Sequence, residues 1–503
     1  MRTRTPTLSQ LIVVAVLTSS AVDQTAFADD SRGPLYPRAS SPQRCERPST
    51  ELSGDVLLDG NCFYEQNFVI KTSETTLDCR GAELRGSDGY PLTVRGSIDR
   101  VTVRNCYVRG GNGIAVRPPS REEGETDDER RARSPTRIVI EHVHITASEN
   151  VGLYLHQHTV GVTLRNSVVE GNSSAGIYIA PYGRGHQILN SRIADHGHTK
   201  PDGTPRLAWY RREGIAIDAS SEHLIEDNEF DNNALGGVLL YKNCWEHADT
   251  NPSSQPRTEH ARASIIRGNH FHDEEFGVWV ASRQSRDLDL MECGDPTPYN
   301  NPLWWGAVVD ESYEEDLHPS AYTSGYFLPW LSAWEDFAED NVITGNTFED
   351  ISRGGVRVED DGTELTGNLF LGDFDYIFVG APFRARLADH PVLDTRIEDN
   401  SYLSPSGSSF AERLYLVPDE HEGTSLQRNH RACASGTAVL RHGEEVSAGT
   451  SAPINGVSCS LQRRCDDGVL TEPTPVSSCE LPGGTSDAGV SSDAGVSSDA
   501  GVS

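Results

Sequence analysis

Lys242 is one of only three lysines among 43 basic residues. It directly follows Tyr241, at the end of the phrase Gly-Gly-Val-Leu-Leu-Tyr-Lys-Asn. Arg283 stands just past the next similar phrase, Gly277-Val-Trp-Val, and Arg212 precedes the phrase before it. A lysine or tyrosine base near arginines suits removal of a proton α to a carboxylate, because a cation must hold the charge that builds on the carboxylate oxygens. Neighbouring cations lower the lysine pKa towards a working range, and Asp218, one phrase earlier, opposes them. The plain alternative is a surface lysine after a strand. His156, His158 and His196 are further candidate bases.

These residues are positioned by a repeat. The phrase Gly-aliphatic-x-aliphatic occurs at Gly152, Gly176, Gly214, Gly237, Gly277 and Gly355. Between these steps falls a second phrase, aliphatic-x-x-Asn, with its asparagine at Asn105, Asn166, Asn190, Asn228, Asn269, Asn346, Asn368, Asn400 and Asn429. A unit of this size, with period-2 strands separated by Gly and Asn turns, cannot bury its apolar edge alone and stacks on copies of itself. Equivalent residues then lie over one another at roughly 4.7–4.9 Å, so a recurring asparagine forms a hydrogen-bonded ladder. With the aliphatics inside, the alternate positions point outward. They form the pairs Tyr154/His156, Tyr178/Ala180, Ala216/Asp218, Leu239/Tyr241, Trp279/Ala281 and Arg357/Glu359. We therefore expect Lys242, Tyr241, Arg283 and Arg212 as catalytic residues and Tyr154, His156, Tyr178, Asp218, Trp279, Arg357 and Glu359 as substrate-binding residues on one aromatic, polar face.

Insertions stretch the repeat over about 197–212, 245–263 and 284–339, and all seven tryptophans lie between Trp209 and Trp334. Such loops usually form the functional face of a solenoid, and the aromatics are read as a wall or lid for sugar rings.

The N-terminal stretch "TLDCRGAELRG" followed by "VTVRNCYVRGGNGIAV", together with the repeated phrases from Leu52 to Asn429, resembles the right-handed parallel β-helix proteins of the pectin-lyase-like class. That class includes polysaccharide lyases, hydrolases and mannuronan C5-epimerases. The resemblance implies an all-β, single-stranded right-handed parallel β-helix acting on an acidic polysaccharide by α-proton abstraction, as lyase or C5-epimerase. The alternative is a non-catalytic glycan-binding or surface-display protein. Of the Asp-Pro-His-Asp-Arg string typical of the epimerases, only Asp195-His196 is present. The chemistry requires no cofactor, although Glu359, Asp360 and Asp361 in "VEDDGT" offer oxygen ligands of the kind Ca2+ takes.

Composition bounds the partners. The chain has 503 residues, 46 of them glycine, and a formal net charge of −32, which argues against nucleic acid and anionic membranes. A polyanion site has to be a local basic patch against that field. Arg2 and Arg4, the apolar run from Leu11 to Val16 and Ala26-Phe27-Ala28 read as a signal peptide over 1–28, so a secreted, periplasmic or cell-surface protein is expected. The run is too short to span a membrane. Ten cysteines without CxxC pairs suit disulfides, crowded at both ends of the chain. We expect an N-terminal extension over 29–51, the β-helix over 52–430, a Cys-containing segment over 431–484 and a disordered tail of SDAGVS repeats over 485–503, in a monomer.

Overall fold

A computed structural model describes residues 32–86, 88–207, 211–243, 257–282, 338–381, 385, 391–435, 438–450 and 460–475. The expected signal peptide, the SDAGVS tail, Arg283 and the tryptophans other than Trp279 lie outside these residues.

Short strands, mostly of three to six residues, stack in parallel into three long sheets. Sheet A has 13 strands, from Gln43–Cys45 to His430–Arg431. Sheet B has 12, from Glu51–Leu52 to Leu414–Leu416, and sheet C has 12, from Asp55–Leu57 to Ser425–Gln427. Each coil contributes one strand to each sheet, so sequence neighbours lie in different sheets and spatial neighbours lie one coil apart. The architecture is the all-β parallel solenoid that the repeat predicts. Its first coil begins at Gln43, inside the segment read as an extension.

The repeated phrases follow from packing inside the coil. Phe230, Phe271, Phe348 and Phe370 stack in successive coils with ring centroids 4.6, 5.0 and 5.0 Å apart. The rings of Phe271, Phe348 and Phe370 occupy the space beside Gly237, Gly277 and Gly355; a Cβ on Gly277 would lie 2.4 Å from the Phe348 ring. Glycine is required there by close approach, not by an unusual φ.

The asparagine ladder is present with a shift. Asn269 Nδ2 donates to Asn346 Oδ1 (2.9 Å), Asn346 to Asn368 (3.0 Å), Asn368 to Asn400 (3.0 Å) and Asn400 to Asn429 (2.9 Å). Each side-chain oxygen also accepts the backbone N–H of the residue one coil below, as from Asn269 N to Asn346 (2.9 Å). Asn105, Asn166 and Asn190 instead sit one position earlier, at φ of 55°, 49° and 40°, where Asn tolerates the left-handed region. In those coils Ser167 and Ser191 carry the ladder and Cys106 holds its position.

Disulfides join Cys45 to Cys62 and Cys79 to Cys106 in the first coils, and Cys433 to Cys465 at the other end. The latter lies in an antiparallel module that includes Glu445–Thr450 and Ser460–Asp466. Residues 32–38 run along the outside of several coils, tied by Arg32 to Glu229 (2.6 Å) and by Arg38 to Glu83 (2.6 Å). Among the described residues, no helix is long and apolar enough to cross a membrane.

Candidate functional site

Two columns of side chains on sheet B point away from the coil interior. The strand register places Thr93, Ala115, Tyr154, Tyr178, Ala216, Leu239, Trp279, Arg357, Phe378 and Tyr415 in one column. At the strand ends, Arg95 pairs with Arg117, and the column continues through His156 and Ala180 to Asp218, which pairs with Tyr241. Its character changes along the solenoid, from cationic through histidine to acidic.

The cationic end is hollowed. A cavity of about 480 Å³ is lined by Arg95, Arg117, Pro118, Pro119, Ser120, Arg130, Tyr154, His156 and Gln157. Arg130 comes from the helix Asp127–Ala132, in an insertion between sheet B strand Ile114–Arg117 and sheet C strand Thr136–Glu141. The helix starts at Thr126 with a capping box to Glu129 and carries Asp127, Asp128 and Glu129 in its first turn, which suits its dipole. It is fixed over the sheet by Asp127 on His158 (2.8 Å) and Arg131 on Glu259 (3.3 Å).

Among the described residues, neither Arg95 nor Arg117 has a carboxylate partner, whereas Arg130 reaches Glu125 at 3.8 Å. Arg117 Nε, Arg130 Nε and His156 Nε2 are shielded and have no hydrogen-bond partner. Burial first, and then the Arg117 charge, push the His156 pKa down to about 4, so the imidazole is neutral near neutral pH. Its ring lies 3.9 Å from that of Tyr154, and Tyr154 meets Tyr178 edge-on at 5.3 Å. Unpaired guanidinium groups around a shielded, neutral imidazole make a seat for a carboxylate or other anionic group.

Further along, the expected open groove is closed. Lys242 and Asp218 are 0% exposed, Tyr241 is 3% exposed and Glu359 is 0% exposed. Ala175, Ala216, Leu239, Tyr241 and Ala281 form an apolar cluster of their own, outside the main core, with Tyr178, Leu235 and Trp279 packed against it. Asp218 accepts from Tyr178 Oη (2.5 Å), Asn243 N (2.9 Å), Asn243 Nδ2 (3.1 Å) and Arg257. Tyr241 donates its hydroxyl proton to Glu213 (3.1 Å). The expected exposure of these side chains is therefore corrected: they point outward, but the sheet is covered here, and Arg257 from the second insertion reaches Asp218.

Arg212 does not join Lys242. It precedes the strand Glu213–Asp218, whose register sets Glu213 against Gly236 and Asp218 against Tyr241. At about 3.3 Å per residue, the backbones of Arg212 and Lys242 are separated by about 23 Å along the strands. His196 is a ladder residue, fully buried, with its pKa pushed by burial to about 3 and Nε2 3.0 Å from Val169 O. The acidic run expected to offer calcium ligands is engaged otherwise. Glu359 binds Arg357 (2.7 Å), Asp360 accepts from Ala338 N (2.8 Å) and Asp361 from Leu393 N (2.7 Å). Among the described residues, Glu229, Asp231 and His272 on sheet A have metal-like spacing, but Arg192 and Arg32 already bridge the carboxylates.

Arg95, Arg117 and Arg130 are absent from the sequence-based set. Arg95 and Arg117 were within reach: "LTVR" and "IAVR" carry arginine at the position His156 occupies after "LYL", but columns begun at Gly152 leave these two coils out.

Residues 131–290 match the family described as "Right handed beta helix region". No curated protein matches the sequence. Among solved structures, the chain is similar to the A-module of a mannuronan C-5 epimerase from Azotobacter vinelandii, at 13% identity over 76% of this chain and 84% of that one, with a TM-score of 0.48. It is also similar to a periplasmic alginate epimerase, at 12% identity over 75% and 73%, with a TM-score of 0.42. An alginate lyase from Paenibacillus sp. is 11% identical over 75% and 91%, with a TM-score of 0.33.

Proposed function

We propose that this right-handed parallel β-helix is an exported, carbohydrate-active protein that binds an acidic polysaccharide at the arginine-lined part of sheet B. One anionic sugar sits among Arg95, Arg117 and Arg130, and the reaction is α-proton abstraction from its uronate ring, by elimination or C5-epimerisation. The observation that carries this reading is a pocket with three arginines, two of them without a carboxylate partner among the described residues, in a chain of net charge −32. Guanidinium groups held close together repel one another, and a seated anion relieves that repulsion.

The residues supply a mechanism. A carboxylate held by the guanidinium groups has its developing negative charge stabilised as the α-proton leaves. His156, neutral, accepts that proton once its ring turns to bring the shielded Nε2 to the sugar, and a seated carboxylate raises its basicity by opposing the Arg117 charge. The linkage oxygen leaves with the C–O electron pair and takes a proton from the protonated imidazole or from water, giving an unsaturated sugar and a new hydroxyl end; a proton delivered by water to the opposite face gives the epimer. Lys242 keeps a place in the proposal only if the cover over its coil opens.

Binding without turnover is the second reading. It is favoured by the same imidazole, since a base with pKa of about 4 is weak for a carbon acid. Incubation with uronate polymers, followed by ultraviolet absorbance for an unsaturated product and proton NMR for inversion, tests the first reading. His156→Asn is expected to lower kcat by about 10²–10⁴-fold with substrate affinity retained. Full activity of that variant overturns His156 as the base, and binding without product leaves the second reading.

A further inference from the structure

The third arginine of the pocket reaches it by a different route from the other two. Arg95 and Arg117 end strands of sheet B, Leu92–Arg95 and Ile114–Arg117, whereas Arg130 is carried in by the insertion that follows the second of them. From Ser120 to Arg133 no residue of that insertion is buried. Its helix, Asp127–Ala132, has six residues, none of them buried. A helix so short is marginal by itself, and the usual tertiary support, an apolar stripe packed on a core, is missing. Ion pairs inside the insertion, Arg133 to Glu125 (2.6 Å) and Arg121 to Asp127 (3.1 Å), knit it together without fixing where it lies on the sheet.

Polar tethers fix it. Asp127 and Arg130 are three residues apart and share a helix face, so the contact that Asp127 makes sets where Arg130 points. That contact is His158 Nε2, at 2.8 Å. His158 is a rigid partner, 1% exposed, with its ring stacked on Tyr182 at 4.6 Å and 6°. Its backbone N–H donates to Pro181 O (3.1 Å), and its carbonyl accepts from Ser134 Oγ, where the insertion rejoins the coil. Nδ1 is shielded and has no hydrogen-bond partner, which leaves Nε2 as the nitrogen that donates to the carboxylate. A second tether joins Arg131 to Glu259 (3.3 Å), and Glu259 is held in turn by Arg184 (3.2 Å). Two tethers fix an orientation; with one removed, the helix can swing about the other.

We infer that His158 is a positioning residue of the pocket: through Asp127 it holds Arg130 against the bound anion, and it serves neither as base nor as ligand group. This rests on the proposed seating of an anionic sugar among the three arginines. The test is calorimetric titration of a glucuronate-containing tetrasaccharide into the parent and its variants. Asp127→Ala removes a negative charge beside the pocket, so an electrostatic role alone predicts tighter binding of the anion. A positioning role predicts binding about tenfold weaker, the loss expected of Arg130→Ala itself. His158→Phe, which keeps a ring on Tyr182 and removes the donor, is expected to match Asp127→Ala, whereas Asp127→Asn keeps an acceptor for Nε2 and is expected to bind at least as well as the parent. Added to Arg130→Ala, Asp127→Ala should weaken binding no further, because the group it positions is gone. Hydrogen exchange without ligand should quicken over residues 120–133 in Asp127→Ala and stay slow in Leu153–Leu155. Asp127→Ala that binds as tightly as the parent, losses that add in the double variant, or unchanged exchange over 120–133 overturns the inference. Arg117→Ala tells this failure from that of the pocket. If it weakens binding while Asp127→Ala does not, the pocket stands and the positioning role falls; if neither Arg117→Ala nor Arg130→Ala weakens it, the pocket reading has failed and the positioning role falls with it.

Discussion

A single burial value changes the role of Lys242. Read as an exposed lysine, it would tolerate Lys242→Met with less than about 0.5 kcal/mol of change. At 0% exposure its amine is shielded from water and engaged with neighbouring groups, which Met would leave without that partner. Lys242→Met is therefore expected to shift the unfolding midpoint clearly in denaturant titration, and a midpoint equal to the parent's would contradict this packing. Histidines provide a second residue-scale prediction. His156 has its pKa pushed down to about 4, and His186 and His196 to about 3, in each case first by burial. Unfolding returns each to about 6.5, so between these values the unfolded chain binds more protons. The stability they contribute is complete above about pH 6.5 and is lost as pH falls towards 4 and then 3. His186 accepts from Val162 N (3.1 Å) within a ladder that other coils build with Ser264 and Asn341. His186→Asn should therefore fold and show a shallower fall in melting temperature between about pH 6.5 and 4. Identical slopes for parent and variant would count against neutral, buried histidines.

Strands and turns were legible because their periods are physical. The aliphatic alternation gave the inward face, and the glycine column marked where stacked phenylalanine rings need room. The asparagine column was read correctly from Asn228 onward and one residue early before it. Asn at the left-handed position and Asn at the ladder position look alike in sequence and differ only in φ. Asn346 shows what the ladder supplies: its side chain accepts Asn269 N (2.9 Å) and donates to Ile266 O (2.9 Å), both buried. Asn346→Ala leaves these backbone groups unpaired at about 1–3 kcal/mol each. Thermal unfolding should fall by several degrees, with hydrogen exchange quickening first in the adjoining coils. A variant as stable as the parent would show the ladder to be ornamental. The pocket was less legible, because it combines strand-end residues of two early coils with Arg130 from a capped helix in an insertion. No single period contains all three arginines. The covered middle coils were not legible at all, since burial of outward residues depends on how inserted segments fold back.

Across the whole molecule, net charge and local charge disagree, and that disagreement is the main argument for function. A chain at −32 repels polyanions at long range, yet Arg95 and Arg117 stand without carboxylate partners among the described residues beside a shielded Arg130. Added salt screens the long-range repulsion more strongly than the shielded contacts, with a Debye length of about 10 Å at 0.1 M. Binding of a singly charged saccharide should accordingly depend weakly on salt, in contrast to the steep loss seen when an exposed basic surface binds a polyanion. The most direct measurement is calorimetric titration of a glucuronate-containing tetrasaccharide into the parent protein and into the Arg95→Ala/Arg117→Ala double variant, with circular dichroism confirming that both fold. The account predicts binding by the parent and a loss of at least about 10²-fold in the variant, in line with two charge-assisted contacts. Equal affinity in the two proteins would contradict it.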